Sequence, residues 1–196
     1  IKVVGNPIAR KVSNIKTTYK NNNFNVGIAL NPVADNTNRE MIKHVLSNSL
    51  SKEISFMIKL HPSMRKTKWM KDIISDRIIF YETKDISHKD YFELIDLLVV
   101  GNSGLGYEAV INDVPIWVYN VTNSMNGHDS IMVEKGNCPD ITEIINLNLE
   151  LYKLMNKSDY LRELLELEQE FVLNEFYYAI GDDATLNIIN EINKLV

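Results

Sequence analysis

Short apolar runs rich in β-branched residues alternate along the chain with stretches whose apolar residues recur every three or four positions. Residues 24–30 (FNVGIAL), 54–60 (ISFMIKL), 77–81 (RIIFY), 97–100 (LLVV) and 115–119 (PIWVY) read as strands, and the apolar run at 131–133 as a sixth. Between the first two strands a helix is expected over 37–51. Thr37 and Glu40 have the spacing of a capping box, and Met41, Ile42, Val45, Leu46 and Leu50 share one face. Shorter helices are expected near 67–74 and 91–95, and another over 103–111. Beyond the last strand the pattern becomes helical. Asp140 and Glu143 open one helix, residues 152–176 form one or two with a solvated acidic face, and Gly181 precedes a last one using Leu186, Ile189, Ile192 and Leu195.

Strands separated by helices of this length need crossover connections, so the sheet is expected to be parallel, covered on both faces and wound right-handed. The fold class is therefore α/β: a Rossmann-like, doubly wound parallel sheet of about six strands with a helical C-terminal extension. Such sheets bind ligands at the carboxyl ends of their strands, near the point where the strand order reverses. Residues 31–36, 61–68 and 101–108 fall there. No internal repeat occurs, and the run of asparagines at 21–23 reads as a loop.

Composition narrows the function classes. At 196 residues, 45% hydrophobic and 24% charged, the chain belongs with globular proteins of one or at most two domains. The net charge of −5 is uneven: from Asp159 onward nine acids face only Arg162 and Lys194, whereas Lys2, Arg10, Lys11, Lys16 and Lys20 precede the first acid. No clustered basic face of the kind that binds nucleic acid results, and no nucleic-acid partner is expected. There is no uninterrupted apolar run of about 18 residues and no signal-peptide pattern, so a cytoplasmic location is expected. The one cysteine, Cys138, lies in Gly-Asn-Cys-Pro with no activating neighbour in sequence and reads as structural. No His and carboxylate set has metal-ligand spacing, so no metal and no cofactor are expected. The chain opens at Ile1 in mid-pattern, which suggests a piece of a longer protein.

The strongest chemical signal is Gly-Asn-Ser-Gly-Leu-Gly-Tyr-Glu-Ala, residues 101–109, which passes from a buried strand directly into a helix. The glycines, Gly104 among them, let backbone approach a ligand closely, the free N–H groups with the helix dipole favour an anion such as phosphate, and Ser103, after Asn102, can be both the helix cap and a donor to that phosphate. Glu108, one turn on, can accept hydrogen bonds from a ribose diol. The spacing differs from the dinucleotide fingerprint G-x-G-x-x-G, and a serine-capped turn with a solvated glutamate uses the same residues. His61 and Pro62 follow the second strand directly. Proline restricts the histidine to extended backbone, from which the imidazole can donate to, or protonate, a phosphate oxygen. Arg65, Lys66, Lys68 and Lys71, interleaved with Trp69, form a basic patch that reads either as a solvated face or as an attractor of a phosphorylated donor, an anionic glycan or lipid headgroups. Asn31 ends the first strand, and His128 lies in a polar loop after the fifth, where a sugar can reach it. His44 and His88 read as surface or core histidines.

Taken in order, K-L-H-P (59–62), D-L-L-V-V-G-N-S-G-L-G-Y-E-A (96–109) and V-P-I-W-V-Y (114–119) resemble the C-terminal, donor-binding domain of GT-B glycosyltransferases. The likeness is greatest to bacterial surface-polysaccharide enzymes, namely sialyltransferases of capsule and lipooligosaccharide and the CDP-glycerol glycerophosphotransferases of teichoic acid synthesis. UDP-N-acetylglucosamine 2-epimerases are similar too, and a non-catalytic nucleotide-binding domain is a further alternative. Residues 2–7, K-V-V-G-N-P, look like the phrase that closes the first domain of such two-domain proteins. The resemblance implies that residues 1–23 are an interdomain linker and return segment, that residues 24–196 are the donor domain, and that an N-terminal acceptor domain lies outside this chain. It also implies a nucleotide-activated sugar or glycerol phosphate donor, a glycan or lipid-linked acceptor, and peripheral association with the inner face of the membrane. By match, His61 and Ser103 with Gly104 contact the donor phosphates and Glu108 contacts ribose; His61 is then the expected catalytic residue, Pro62 and Asn102 are expected to join the donor site, and Asn31, Arg65, Lys68 and His128, from their places along the sequence, are candidates for further donor or acceptor contacts.

Overall fold

In a computed structural model, residues 24–32, 34–49, 51–101, 103–120, 131–156, 158–175 and 181–194 are described. Among them five strands, β1 (Phe24–Ala29), β2 (Ile54–Lys59), β3 (Ile78–Tyr81), β4 (Leu97–Val100) and β5 (Ile116–Val118), form one parallel sheet in the order β3-β2-β1-β4-β5. Helices α1 (Asp35–Ser47), α2 (Lys68–Asp72), α3 (His88–Leu94) and α4 (Gly104–Ile111) make the crossovers. The order reverses between β1 and β4, so this α/β sheet is doubly wound, with its switch point beside β1.

Near-continuous burial along the strands follows from helices on both faces. On one face Val26, Ile28, Phe56 and Ile58 pack with Met41, Ile42 and Val45 of α1 and Met70 of α2. On the other, Leu98 and Val100 pack with Tyr91 and Phe92 of α3 and Ala109 and Val110 of α4. The C-terminal extension comprises α5 (Ile131–Glu134), α6 (Leu147–Asn156), α7 (Ser158–Glu175) and α8 (Gly181–Asn193). Leu147, Leu151 and Leu154 of α6 complete the first core, and Val172 of α7 joins the second.

Four local expectations are corrected. Residues 131–133 are helical in α5 rather than a sixth strand. The turn closes because Gly136 brings the chain back onto Met132: a Cβ there would stand 2.7 Å from the Met132 carbonyl oxygen, which instead accepts the Cys138 N–H at 3.0 Å. The sheet edge beyond β5 is met by residues 139–141, where Val118 N–H donates to Pro139 and Ile141 N–H to Val118. For that reason Asp140 opens no helix: its carboxylate takes the Thr142 N–H (2.9 Å) and hydroxyl (2.7 Å), and the next helix waits for Asn146, whose side chain accepts from Leu149 N–H. Helix α1 begins two residues before Thr37 because Asn38, buried in its first turn, clamps the loop after β1 through the Asn31 N–H (3.0 Å) and carbonyl (2.7 Å). Finally, Glu168 in the acidic run of α7 is fully buried, not solvated; its Oε2 accepts the Ile116 N–H at 3.0 Å.

Candidate functional site

Because β2, β1 and β4 are adjacent and parallel, Asn31, His61 and Ser103 emerge at one edge of the sheet, around the switch point. Each is held by a local device. Asn31 is fixed through its backbone by Asn38. His61 stands after Leu60, whose N–H pairs with the Tyr81 carbonyl at 2.9 Å. Its Nδ1 accepts from the Ser63 hydroxyl at 2.8 Å and the Ser63 N–H at 3.2 Å. With Nδ1 occupied as an acceptor, a neutral His61 carries its proton on Nε2, which has no partner among the described residues. The ring is thus set to donate outward from an exposed position.

Ser103 caps α4, its Oγ accepting the Leu105 N–H at 3.3 Å from an extended backbone. Gly104, the first helical residue, has nothing within 4 Å of where a Cβ would stand, and its N–H has no partner among the described residues. Gly106 is needed for packing: a Cβ there would lie 3.3 Å from Val100 and 3.4 Å from Ile116. The first turn of α4 therefore sits tight on the sheet while presenting open backbone and the positive end of the helix dipole at the strand edge.

Glu108, one turn further, is half-exposed and paired: its Oε2 accepts from Nδ1 of His88, the first residue of α3, at 2.9 Å. Sequence reasoning set His88 aside, and it also missed Lys59, the last residue of β2. Lys59 is buried, and its Nζ donates to the Ile86 carbonyl at 3.0 Å and lies 5.2 Å from the Tyr91 ring centre. Burial lowers its pKa, with Asp85 partly opposing. This ammonium ties the loop before α3 to the end of β2. Nothing in a linear reading pairs His88 with Glu108, since the two lie 20 residues apart on different helices.

Pro62 is exposed, and Arg65 folds onto its own loop, donating to the Pro62 and Met64 carbonyls at 3.2 and 2.8 Å. Lys68 opens α2 in an exposed position beside Trp69, whose ring packs edge-on against Phe80 and under the Arg39 guanidinium. His44 is structural, its Nε2 donating to the Ile141 carbonyl at 3.0 Å. Burial and the neighbouring Glu168 carboxyl keep the Cys138 thiol protonated. Asn102, His128 and residues 1–23 lie outside the described residues. Among the described residues no cluster of His, Cys, Asp and Glu is arranged to hold a metal ion, and no helix is long and apolar enough to cross a membrane.

No family model and no curated protein sequence matches the chain. Solved structures do. The C-terminal domain of a glycosyl transferase group 1 family protein, LpcC, from Francisella tularensis is 12% identical with a TM-score of 0.57, over 86% of this chain and 95% of that one. The spinosyn rhamnosyltransferase SpnG complexed with thymidine diphosphate is 12% identical with a TM-score of 0.58, over 94% of this chain and 50% of that one. SnogD, a glycosyltransferase from Streptomyces nogalater, is 10% identical with a TM-score of 0.50, over 89% of this chain and 44% of that one. The chain thus spans about half the length of these last two transferases and nearly the whole of the isolated domain. Topology, switch point and structural likeness agree: the chain has the fold of the C-terminal, Rossmann-like domain of GT-B glycosyltransferases.

Proposed function

We propose that residues 24–196 are the donor-binding half of a GT-B transferase that uses a nucleotide-activated sugar or CDP-glycerol in bacterial surface-polysaccharide synthesis. Residues 1–23 serve as the linker from an N-terminal acceptor domain outside this chain. The observation that carries the reading is the first turn of α4 at the switch point, where the Gly104 N–H beside the Ser103 cap has no partner among the described residues and a Gly104 Cβ position meets none of their atoms within 4 Å. That SpnG, on the same fold, is complexed with thymidine diphosphate supports a nucleoside phosphate as the ligand class.

The chemistry follows from where charge develops. As the transferred group leaves, negative charge accumulates on the departing phosphate. The α4 N-terminus and the Ser103 hydroxyl meet it with oriented dipoles, and His61 meets it with the N–H on Nε2; all are in place before reaction, which is what makes such stabilisation effective. Glu108 receives the ribose, while Asn31 and the Arg65 and Lys68 side of the site face the remainder of the donor or the acceptor. The base that activates the acceptor belongs to the other domain, so this chain alone binds donor without turnover. The exposed basic residues after His61 serve association with an anionic acceptor or membrane face on the cytoplasmic side.

Calorimetric titration of the 196-residue chain with CMP, CDP, UDP, GDP and thymidine diphosphate tests the reading. One or more should bind, and Ser103→Ala and His61→Ala should each weaken binding about tenfold, the loss of one charge-assisted hydrogen bond. Absence of binding by every nucleotide overturns the proposal.

A further inference from the structure

Among the described residues Lys59, the last residue of β2, is the only buried lysine. A lysine rarely leaves water without a carboxylate beside it. Here the Nζ donates to the Ile86 carbonyl at 3.0 Å and lies 5.2 Å from the Tyr91 ring centre, and no ion pair joins it to a carboxylate among the described residues. Asp85 attracts it from the loop before α3, but that residue is exposed and its Oδ2 accepts the Glu82 N–H at 3.0 Å. One carbonyl and one ring face do not offset the removal of an ammonium from water. The imbalance shows in the Lys59 pKa, which burial lowers from the ordinary 10.5 and Asp85 raises only in part. A methionine would occupy the same space without that cost, so the charge itself calls for a reason.

Strand register places the charge relative to the ligand edge. Ala29 of β1 is the partner of Lys59 on one side and of Val100 on the other, so these three form the last paired row across β2, β1 and β4. Ala29 and Val100 belong to the core beneath α3 and α4 together with Tyr91, so the ammonium over the Tyr91 ring is on the same face of the sheet as α4. Helix α4 rests on the far end of the row, where a Cβ on Gly106 would stand 3.3 Å from Val100. At about 4.8 Å per strand, Lys59 and Val100 are about 10 Å apart. Between them stands only the methyl of Ala29, and both Ala29 and Val100 are buried. Ser103 follows Val100 by three residues, and His61 follows Lys59 by two. A phosphate on the first turn of α4 thus stands on the order of 10 Å from Lys59, across buried protein in which a charge is screened far less than in water.

We propose that Lys59 is a buried countercharge for the donor phosphates and a specificity-determining residue of the site, favouring a nucleoside diphosphate over the corresponding monophosphate. The inference rests on the donor-site reading and extends it, from groups that touch the phosphates to one that acts on them without contact. The ligand supplies the anion that the described residues do not, and each further unit of negative charge on it is attracted by the same fixed cation. Because Ile86 and Tyr91 hold the ammonium in place beforehand, no reorganisation is needed when the ligand arrives. At a separation of about 10 Å and an effective dielectric constant between about 20 and 40, one unit of charge changes affinity roughly fourfold to fifteenfold.

Calorimetric titration with CMP and CDP, UMP and UDP, and GMP and GDP tests this on the wild-type chain, Lys59→Met and Lys59→Gln. For the pair that binds, the wild type should prefer the diphosphate, and in both variants the ratio of the two affinities should fall at least about threefold. Methionine removes the charge and the bond to Ile86. Glutamine removes the charge but keeps a neutral donor toward that carbonyl, and it carries the test if circular dichroism shows that the methionine variant does not fold. A ratio unchanged from wild type overturns the countercharge. If mono- and diphosphate weaken alike, Lys59 only tethers the loop before α3; if neither weakens, its charge does not reach the site. Failure of every nucleotide to bind the wild type instead overturns the donor-site reading from which the inference is built.

Discussion

Replacing Glu168 by glutamine should raise the stability of the protein, and by more at higher pH. The Glu168 side chain is fully buried; Oε2 accepts the Ile116 N–H, while Oε1 is buried with no hydrogen-bond partner among the described residues. Burial disfavours the charged form and raises the pKa well above the ordinary 4.5, the Ile116 N–H and Cys138 thiol opposing only in part. A carboxyl whose native pKa exceeds its unfolded one binds its proton more tightly when folded. Its stabilising contribution is therefore complete below about 4.5 and is lost as pH rises toward the native value, at no more than about 1.4 kcal/mol per pH unit. Glutamine keeps an acceptor for Ile116 and never ionises, so the variant lacks this slope. Urea denaturation of both proteins from pH 5 to 8 measures the difference. The advantage of Glu168→Gln should grow steadily over at least the first unit of that range, while Glu168→Ala, which orphans the Ile116 N–H, should be less stable than Glu168→Gln by about 1–3 kcal/mol. Stability curves for wild type and Glu168→Gln that run parallel across the range would refute the buried, neutral carboxyl.

Two further outcomes follow from the site. Gly104→Ala meets no atom of the described residues within 4 Å, so thermal stability should hold or rise slightly while nucleotide affinity falls at least several-fold, read by melting and calorimetry on the same sample. Asn38→Ala removes the two side-chain bonds from Asn38 to the Asn31 backbone, which should cost about 1–3 kcal/mol in chemical denaturation and weaken nucleotide binding through a loosened β1–α1 loop.

The architecture was legible because parallel strands buried on both faces cannot hide: LLVV, ISFMIKL and FNVGIAL have no other comfortable setting than a covered sheet. Ser103 as the cap of α4 was legible for a similar reason, since residue type, glycine neighbours and strand-to-helix transition all agree there. Residues 131–133 were misassigned because three apolar residues carry no period, and what decides between strand and helix is the return of the chain at Gly136. Glu168 was hidden by its acidic neighbours, although it lies on the inward stripe with Leu164, Leu165 and Val172, a spacing of three and four that marks it for burial. The His88–Glu108 pair had no linear signal, because the crossover from β3 to β4 brings together two helices whose sequences say nothing of each other.

The two ends of α4 show why the fold can keep an open site without losing rigidity. Its last carbonyls are all but used up: Asn112 serves the Glu108 carbonyl at 2.7 Å, Val114 N–H that of Ala109 at 3.0 Å, and Gln169 from α7 that of Val110 at 3.0 Å. Gln169 also holds Asp113, whose φ of 61° turns the chain into β5, and next to it Glu168 fixes the first residue of that strand. At the other end, Ser103 satisfies Leu105 and leaves the Gly104 N–H without a partner among the described residues. A helix clamped at its C-terminus by a distant segment can leave its N-terminal donors open to a ligand, because their position no longer depends on local caps. In this arrangement α7 bears on the site from the far end of α4, the helix on which Ser103, Gly104 and Glu108 are mounted. Loss of the Gln169 clamp should accordingly weaken nucleotide binding although Gln169 touches no part of the ligand edge.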